Sequence, residues 1–263
     1  MTTILQFSDT HILPEGVRVS GRLDTSANLS RLVARINNVR DQIGPVDAVL
    51  VTGDLSDDGS AESYARIKML LAPLDWPLLV IPGNHDARAP MRDAFAGQFP
   101  TTGPLNWACR VGEIHLIGLD TLVEGQGAGT ISPIGLAFLE DTLLQANGAP
   151  VLLALHHPPF RCGISFMDAI GLTNQQALCG IVADYPGALR MVCGHVHSMM
   201  VTDVAGRVAV SCPSPCSTFA YDRRAAAPAG FFAQEDGCLL HRWDQGFQTI
   251  RIGSIAGEGP FQF

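Results

Sequence analysis

Leu78-Leu79-Val80-Ile81-Pro82-Gly83-Asn84-His85-Asp86 joins an apolar run of strand length to a turn that delivers an amide, an imidazole and a carboxylate in succession. The same arrangement recurs along the chain. Ile4–Ser8 runs into Asp9-Thr10-His11, and Ala48–Thr52 into Gly53-Asp54-Leu55-Ser56-Asp57. Val151–Leu155 runs into His156-His157-Pro158-Pro159, and Leu189–Cys193 into Gly194-His195-Val196-His197. Trp107–Val111 and Ile114–Leu119 complete the set of candidate core strands. Several are continuous apolar runs, as expected of strands buried on both faces.

Helical patterns alternate with these runs, which is the signature of a layered α/β fold. Thr25–Gln42 carries Leu29, Leu32, Val33, Ile36 and Val39 on one face, with Asp24 as cap. Ala61–Leu71 follows Gly59-Ser60. A third helix opens at Ser132-Pro133 and stops at Asn147-Gly148. A fourth opens at Thr173-Asn174-Gln175-Gln176, which fits a capping box. Beyond about residue 200 the texture turns strand-rich, ending in a hairpin of Gly237–Trp243 and Phe247–Ile252 around Asp244-Gln245-Gly246. The expected organisation is a core over residues 1–199 and a C-terminal cap or dimerisation segment over 200–263, its last strands returning to the core.

The bulk properties narrow the function. A chain of 263 residues, 47% hydrophobic and 16% charged, can bury a large core. A net charge of −8 is a poor match for a nucleic-acid polymer, whose phosphates are held by Lys and Arg. A small anion remains compatible if a metal supplies positive charge locally. No run reaches the ~20 apolar residues of a membrane helix, and the N-terminus lacks a signal-peptide pattern. Seven scattered cysteines suggest reduced thiols and a cytoplasmic location, with a Cys212–Cys216 pair as the alternative.

The chemistry sits at the strand ends, where ligands bind in open α/β sheets. Six of the eight histidines lie in the five strand-end segments. Imidazole, carboxylate and amide donors together suit Zn, Fe and Mn, and a carboxylate can bridge two ions. Asp-x-His and Gly-Asp are weak signals taken singly. Gly-His-x-His would arise by chance roughly 0.03 times in a chain of this composition, and Gly-Asn-His-Asp roughly 0.002 times. Phosphate-ester hydrolysis needs charge neutralisation, hydroxide near neutral pH and a stabilised leaving oxygen, and two metals ~3.5–4 Å apart supply all three.

The five segments, in this order, resemble the signature blocks of the calcineurin-like metallophosphoesterase superfamily, from Ile4 to about Ser198. Within it they are most similar to the bacterial class III cyclic-nucleotide phosphodiesterases and related glycerophosphodiesterases. Ser8-Asp9-Thr10-His11, His156-His157-Pro158-Pro159, Met167-Asp168-Ala169-Ile170 and the tail block Ser211–Cys216 carry that likeness. The resemblance implies a four-layer αββα sandwich of two mixed β-sheets with a strand-rich C-terminal appendage. It implies two metal ions of Fe, Mn or Zn type. Asp9, His11 and His197 would hold the first, Asn84, His156 and His195 the second, and Asp54 would bridge them. His85 would stabilise or protonate the leaving oxygen, with Asp86 orienting it, and Asn84, His85 and His197 would contact substrate.

The implied reaction is in-line attack of a metal-bridging hydroxide on a small phosphodiester, a 3',5'-cyclic nucleotide such as cAMP or a glycerophosphodiester. The alternatives are a phosphomonoesterase of the same superfamily and a non-catalytic metal-binding scaffold. A protein phosphatase would carry Arg after Asp57, where this chain has Asp58. Relatives often use the tail for subunit contact, which points to a homodimer or a multiple of dimers. His157 reads as a supporting residue, His115 as a strand histidine, and His241 has no assigned role beyond a conceivable subunit contact.

Overall fold

The computed structural model describes residues 1–224, 226–233 and 237–252. The end of the expected C-terminal segment, 253–263, lies outside the described residues. Thirteen strands are present among those described: β1 Thr2–Phe7, β2 Ala48–Thr52, β3 Leu78–Ile81, β4 Trp107–Val111, β5 Ile114–Leu119, β6 Val151–Leu155, β7 Leu189–Cys193, β8 Val201–Val204, β9 Arg207–Ser211, β10 Thr218–Phe219, β11 Phe231–Phe232, β12 Cys238–Trp243 and β13 Phe247–Ile252. The helices are α1 Thr25–Asn38, α2 Arg40–Ile43, α3 Ala61–Leu71, α4 Arg88–Ala94, α5 Pro133–Ala146, α6 Ser165–Asp168 and α7 Gln175–Ala183.

One sheet has the order β13-β12-β1-β2-β3 and the other β4-β5-β6-β7-β9-β8. Both are mixed. β1, β2 and β3 are parallel, as are β5, β6, β7 and β9, while β12, β13, β4 and β8 run antiparallel to their neighbours. The alternation of side chains along each strand divides the core into three apolar interfaces. Leu5, Phe7, Val49 and Val51 pack against Leu29, Leu32 and Ile36 of α1 and Tyr64 and Ile67 of α3. Ile4, Leu50 and Ile81 turn the other way, onto Trp107, Leu116, Leu152 and Val192 of the second sheet. That sheet's opposite face presents Ile117, Leu153 and Leu155 to Leu139 and Leu143 of α5 and Leu178 and Val182 of α7. The four layers are helices, sheet, sheet, helices, as the resemblance implies.

Local departures have local causes. The first helix stops at Asn38, because Asn37 and Asn38 are weak helix formers and Val39 leaves the helical region at φ −104°, ψ 11°. The capping box at Thr173 does not form. Asn174 instead clasps Ile131, accepting its N–H at 3.0 Å and donating to its C=O at 2.8 Å, and Thr173 Oγ1 donates to Gly129 C=O. The third helix follows expectation: Ser132 Oγ accepts Gly135 N–H, and Asn147 closes it in the left-handed region. The strands after residue 200 divide between both sheets and a separate β10–β11 ribbon. All seven cysteines are free. Among the described residues, no helix is long and apolar enough to cross a membrane.

His241 is fully buried within the first sheet, which rules out a subunit contact through its side chain. It bonds Gln6 Oε1 at 2.8 Å and Thr249 Oγ1 at 2.9 Å, and Gln6 Nε2 in turn donates to Thr52 Oγ1 and Cys193 C=O. This polar chain ties β12, β1, β2 and β7 together beneath the strand ends. Burial, with a smaller push from Arg190, holds the imidazole down at about 3. Below about pH 6.5 the unfolded chain binds a proton that the folded chain refuses, so this contribution to stability is complete above 6.5 and is lost as pH falls toward 3. The stability gap between wild type and His241→Gln, from urea midpoints, is therefore expected to shrink by on the order of 3 kcal/mol between pH 7 and pH 4. A pH-independent gap refutes it.

Candidate metal centre

The five segments meet where the C-terminal ends of the two sheets face each other. β1 and β2 extend their ladder past the strands: Asp9 N–H donates to Gly53 C=O, and His11 N–H to Asp54 C=O. Asp9 then reaches the other sheet, both carboxylate oxygens accepting His195 N–H at 3.0 Å. Gly194 N–H donates to His156 C=O, closing the β6 and β7 ends. Approach is close enough that side chains are excluded at particular points. A Cβ on Gly83 would overlap Asp54 Oδ1 and its backbone N, and one on Gly194 would overlap Ser8 Oγ.

Five of the seven expected ligands have positive φ: Asp9 55°, His11 45°, Asp54 49°, His195 71° and His197 53°. Asp and His are tolerated in the left-handed region better than most residues, yet each such residue stores about 1–3 kcal/mol. The left-handed residues turn the chain sharply where it leaves β1, β2 and β7.

Asp54 Oδ2 lies 3.6 Å from His11 Nε2 and 3.4 Å from His156 Nε2, while its Oδ1 accepts His85 N–H at 2.9 Å. His197 Nε2 is 3.5 Å from Asp9 Oδ1 and 3.2 Å from His11 Nε2. His156 Nε2 is 3.1 Å from Asn84 Oδ1. Asp9 and His156 are fully buried, and Asp54, His11, His195 and His197 nearly so. Asp9, His11 and His197 form one group able to hold an ion, and Asp9, Asp54 and His156 another.

The outer ring nitrogens reveal what the inner ones do. His11 Nδ1 meets Asp57 Oδ1 at 3.0 Å, His156 Nδ1 meets Thr52 C=O at 2.8 Å, and His197 Nδ1 meets Ser217 Oγ at 2.9 Å. The Asp57 carboxylate and the Thr52 carbonyl can only accept, which fixes the proton on Nδ1 of His11 and His156 and leaves their Nε2 lone pairs free. The Ser217 hydroxyl supports the same tautomer of His197 when it accepts. His195 is reversed: its Nε2–H donates to Ile170 C=O at 3.1 Å, leaving Nδ1 as the lone-pair nitrogen. Lone pairs of His11 and His197 facing each other repel unless a proton or a cation lies between them. This donor set fits a metal pair, with second-ring contacts of the kind that orient metal-binding imidazoles.

The electrostatics are those of a cluster built around positive charge. Burial, reinforced by Asp54, raises Asp9 to about 6 against the pull of His156. Burial would also raise Asp54, but His156 and His11 hold it well below the usual carboxylate range. Burial opposes the protonation of His156, yet Asp54 and Asp9 bring it up to about 9. His11 is likewise raised, its bond to Asp57 and the charges of Asp54 and Asp9 outweighing burial. Burial and neighbouring imidazoles push His195 and His197 well down into the neutral, ligating form.

One expected role is redistributed. Asp86 does not touch His85. Its oxygens accept N–H groups of Leu55, Ser56 and Gly83 and the Tyr64 hydroxyl, so it clamps the Asp54 turn to the Asn84 turn. The carboxylate beside His85 is Asp57, 3.3 Å from its Nδ1, which also meets Asp57 C=O at 3.2 Å. One carboxylate thus serves both His11 and His85. His157, buried, bonds Thr121 Oγ1 at 2.8 Å and Gly127 C=O at 3.0 Å, which anchors the 121–129 loop. The tail block contributes Ser217 to His197, and Ser214 Oγ donates to Asp9 C=O at 2.8 Å.

The centre opens into a cavity of about 330 Å³. A groove of about 460 Å³ between α5 and α7 is larger, but its Asn147, Gly148 and Pro186 lie at the opposite, N-terminal ends of β6 and β7.

The chain matches the sequence profile of the calcineurin-like phosphoesterases over residues 2–199. It is 33% identical over 98% of its length, and 96% of the other's, to a probable glycerophosphodiester phosphodiesterase GpdQ from Arcobacter nitrofigilis. It is 35% identical over 82% of its length, and 77% of the other's, to the 3',5'-cyclic adenosine monophosphate phosphodiesterase CpdA from Pseudomonas aeruginosa. Among solved structures, a dimetal phosphatase from Danio rerio superposes with a TM-score of 0.63 over 95% of this chain and 98% of that one, at 16% identity, and shares the fold. The chain belongs to the calcineurin-like phosphoesterase family. The branch read from Ser8–His11, His156–Pro159, Met167–Ile170 and Ser211–Cys216 is the one these relatives occupy.

Strained donors around an ion make folding and metal binding one equilibrium. Chelation is expected to lower the thermal midpoint, read by calorimetry before and after metal removal. In the metal-free protein, His197→Gly should exceed His197→Ala in stability by about 1 kcal/mol, because glycine accepts φ 53° without strain. Equal stabilities would contradict stored strain at that residue.

Proposed function

We propose that this chain hydrolyses small phosphodiesters at a two-metal centre held by Asp9, His11, Asp54, Asn84, His156, His195 and His197. The observation that carries the reading is the placement of Asp54 Oδ2 between His11 Nε2 and His156 Nε2, as a carboxylate shared by two sets of donors requires. Bound ions of Fe, Mn or Zn type would withdraw charge from the phosphoryl group and activate water for in-line attack.

The chain's own residues do the rest. Asn84 directs Oδ1 toward His156 and keeps its Nδ2 donors for a phosphoryl oxygen. His197, on the cavity wall, borders the bound diester. His85 is the most exposed of the histidines at the centre, with its side chain 41% accessible on the cavity rim. Asp57 engages its Nδ1, so Nε2 is left to hydrogen-bond or protonate the departing oxygen. Asp86 acts on the reaction through the turn it holds.

Loss of His85 should depend on the leaving group. His85→Asn is expected to slow release of an alkoxide about 10²–10⁴-fold and release of p-nitrophenolate far less, since the latter departs without a proton. Equal losses on both substrates would remove His85 from the leaving-group role. Asn84→Ala should lose both bound metal and turnover, and a fully active, metal-free Asn84→Ala protein would refute the ligand assignment.

The residues from 200 onward supply the proposed subunit contact of a homodimer or multiple of dimers. Val201, Val208, Phe232 and Ile250 are exposed apolar side chains there. Light scattering at micromolar concentration is expected to give an even number of chains, and a monomer would refute it. Seven free thiols support a cytoplasmic setting.

A further inference from the structure

We propose that Phe219, Phe231 and Phe166 form an aromatic wall that makes this centre prefer phosphodiesters carrying a nucleobase over those carrying only glycerol and a small alcohol. The inference rests on the diesterase reading and decides between its two substrate classes.

The cavity has two unlike ends. One is the imidazole and carboxylate cluster, and the other is lined by Leu23, Phe166, Met167, Ile170, Phe219 and Phe231. The apolar end begins at the metal centre itself: the Phe219 ring lies 4.4 Å from that of His197, tilted by 33°. Phe166 meets Phe219 edge to face at 5.3 Å and 87°, which buttresses that ring. Phe231 sits directly opposite Phe219 in the β10–β11 ribbon, so both rings share one side of it. Phe231 remains 38% exposed although it borders a cavity. The hydrolytic chemistry uses none of these rings.

Their chemistry selects the substituent. The described residues lining the cavity include no lysine or arginine, so nothing there would hold a second anionic group. Glycerol hydroxyls placed against phenyl rings lose water without gaining a partner. A purine gains by stacking, and every nucleobase presents a π-face. About 330 Å³ falls near the lower end of the range for small-ligand sites, which admits a mononucleotide but not a polymer. Phe219 and Phe231, paired on one side of the ribbon, suit a flat base, whereas a choline cation is held by rings on several sides.

The test uses metal-loaded wild type, Phe219→Leu and Phe231→Leu, with metal content measured on each. Each is assayed on 3',5'-cyclic AMP, glycerophosphoethanolamine and glycerophosphocholine. The ratio of kcat/KM for cyclic AMP to that for glycerophosphoethanolamine is expected to fall about 10- to 100-fold in Phe219→Leu, mostly through KM. It should fall in the same direction in Phe231→Leu, which touches no proposed ligand. Unchanged ratios in both variants at equal metal content overturn the wall, as does a loss greatest on glycerophosphocholine. If wild type cleaves no diester, the diesterase reading fails separately, and equilibrium binding of cyclic AMP decides the wall. Weaker binding in both variants then upholds it, and unchanged or absent binding overturns it.

Discussion

The carboxylate of Asp9 accepts the backbone N–H of His195 with both oxygens at 3.0 Å, and that bond crosses from one sheet to the other. Everything at the centre depends on the two sheets being held in this register. Asp9, His11, Asp54 and Asn84 follow strands of the first sheet, and His156, His195 and His197 follow strands of the second. Neither sheet alone assembles the set. The apolar interface of Ile4, Leu50, Ile81, Leu116, Leu152 and Val192 supplies cohesion, which is non-directional. The polar contacts at its rim supply the alignment. Gln6, Thr52, His241 and Cys193 repeat the crossing one layer down with satisfied hydrogen bonds, so these buried polar groups specify geometry without leaving orphans.

Alignment brings a cost that the fold accepts locally. Two carboxylates and four imidazoles are desolvated side by side, and several stand on left-handed backbone. The energy to keep them there comes from the three apolar interfaces and from bonds such as those of Asp86, whose carboxylate fastens two turns at once. Asp57 shows a related economy: a single oxygen lies near both His11 and His85, coupling a candidate ligand to the candidate acid.

Much of this is legible in the chain because it obeys local rules. An apolar run followed by Gly-Asp, Gly-Asn-His-Asp or Gly-His-x-His marks a strand and its functional end together; seven core strands are readable as apolar runs, five of them with a functional end. What escapes is set by distance. Nothing near Asp86 tells that its partners are Leu55 and Tyr64 rather than the adjacent imidazole. Ser217 reaches His197 from the tail, across 20 residues. Helix α4 has Pro90 inside it and a single buried residue, Met91, so it carries no apolar stripe to read. Strand β8 lies at a sheet edge with only Val204 buried, which leaves its alternation faint. Asn174 has the composition of a cap but spends its amide on Ile131.

The order of the first sheet has a consequence for how the chain is made. β1 lies interior, between β2 and β12. Its partner on one side closes by residue 52, but the other side waits for Cys238–Trp243. Throughout that interval a strand whose residues all end up buried presents an unpaired hydrogen-bonding edge, the kind of surface that recruits other nascent chains. The late arrival of β12 covers that edge and seats His241 on Gln6 in the same event. The protein's vulnerability to misassembly at β1 is therefore greatest before the hairpin of β12 and β13 docks.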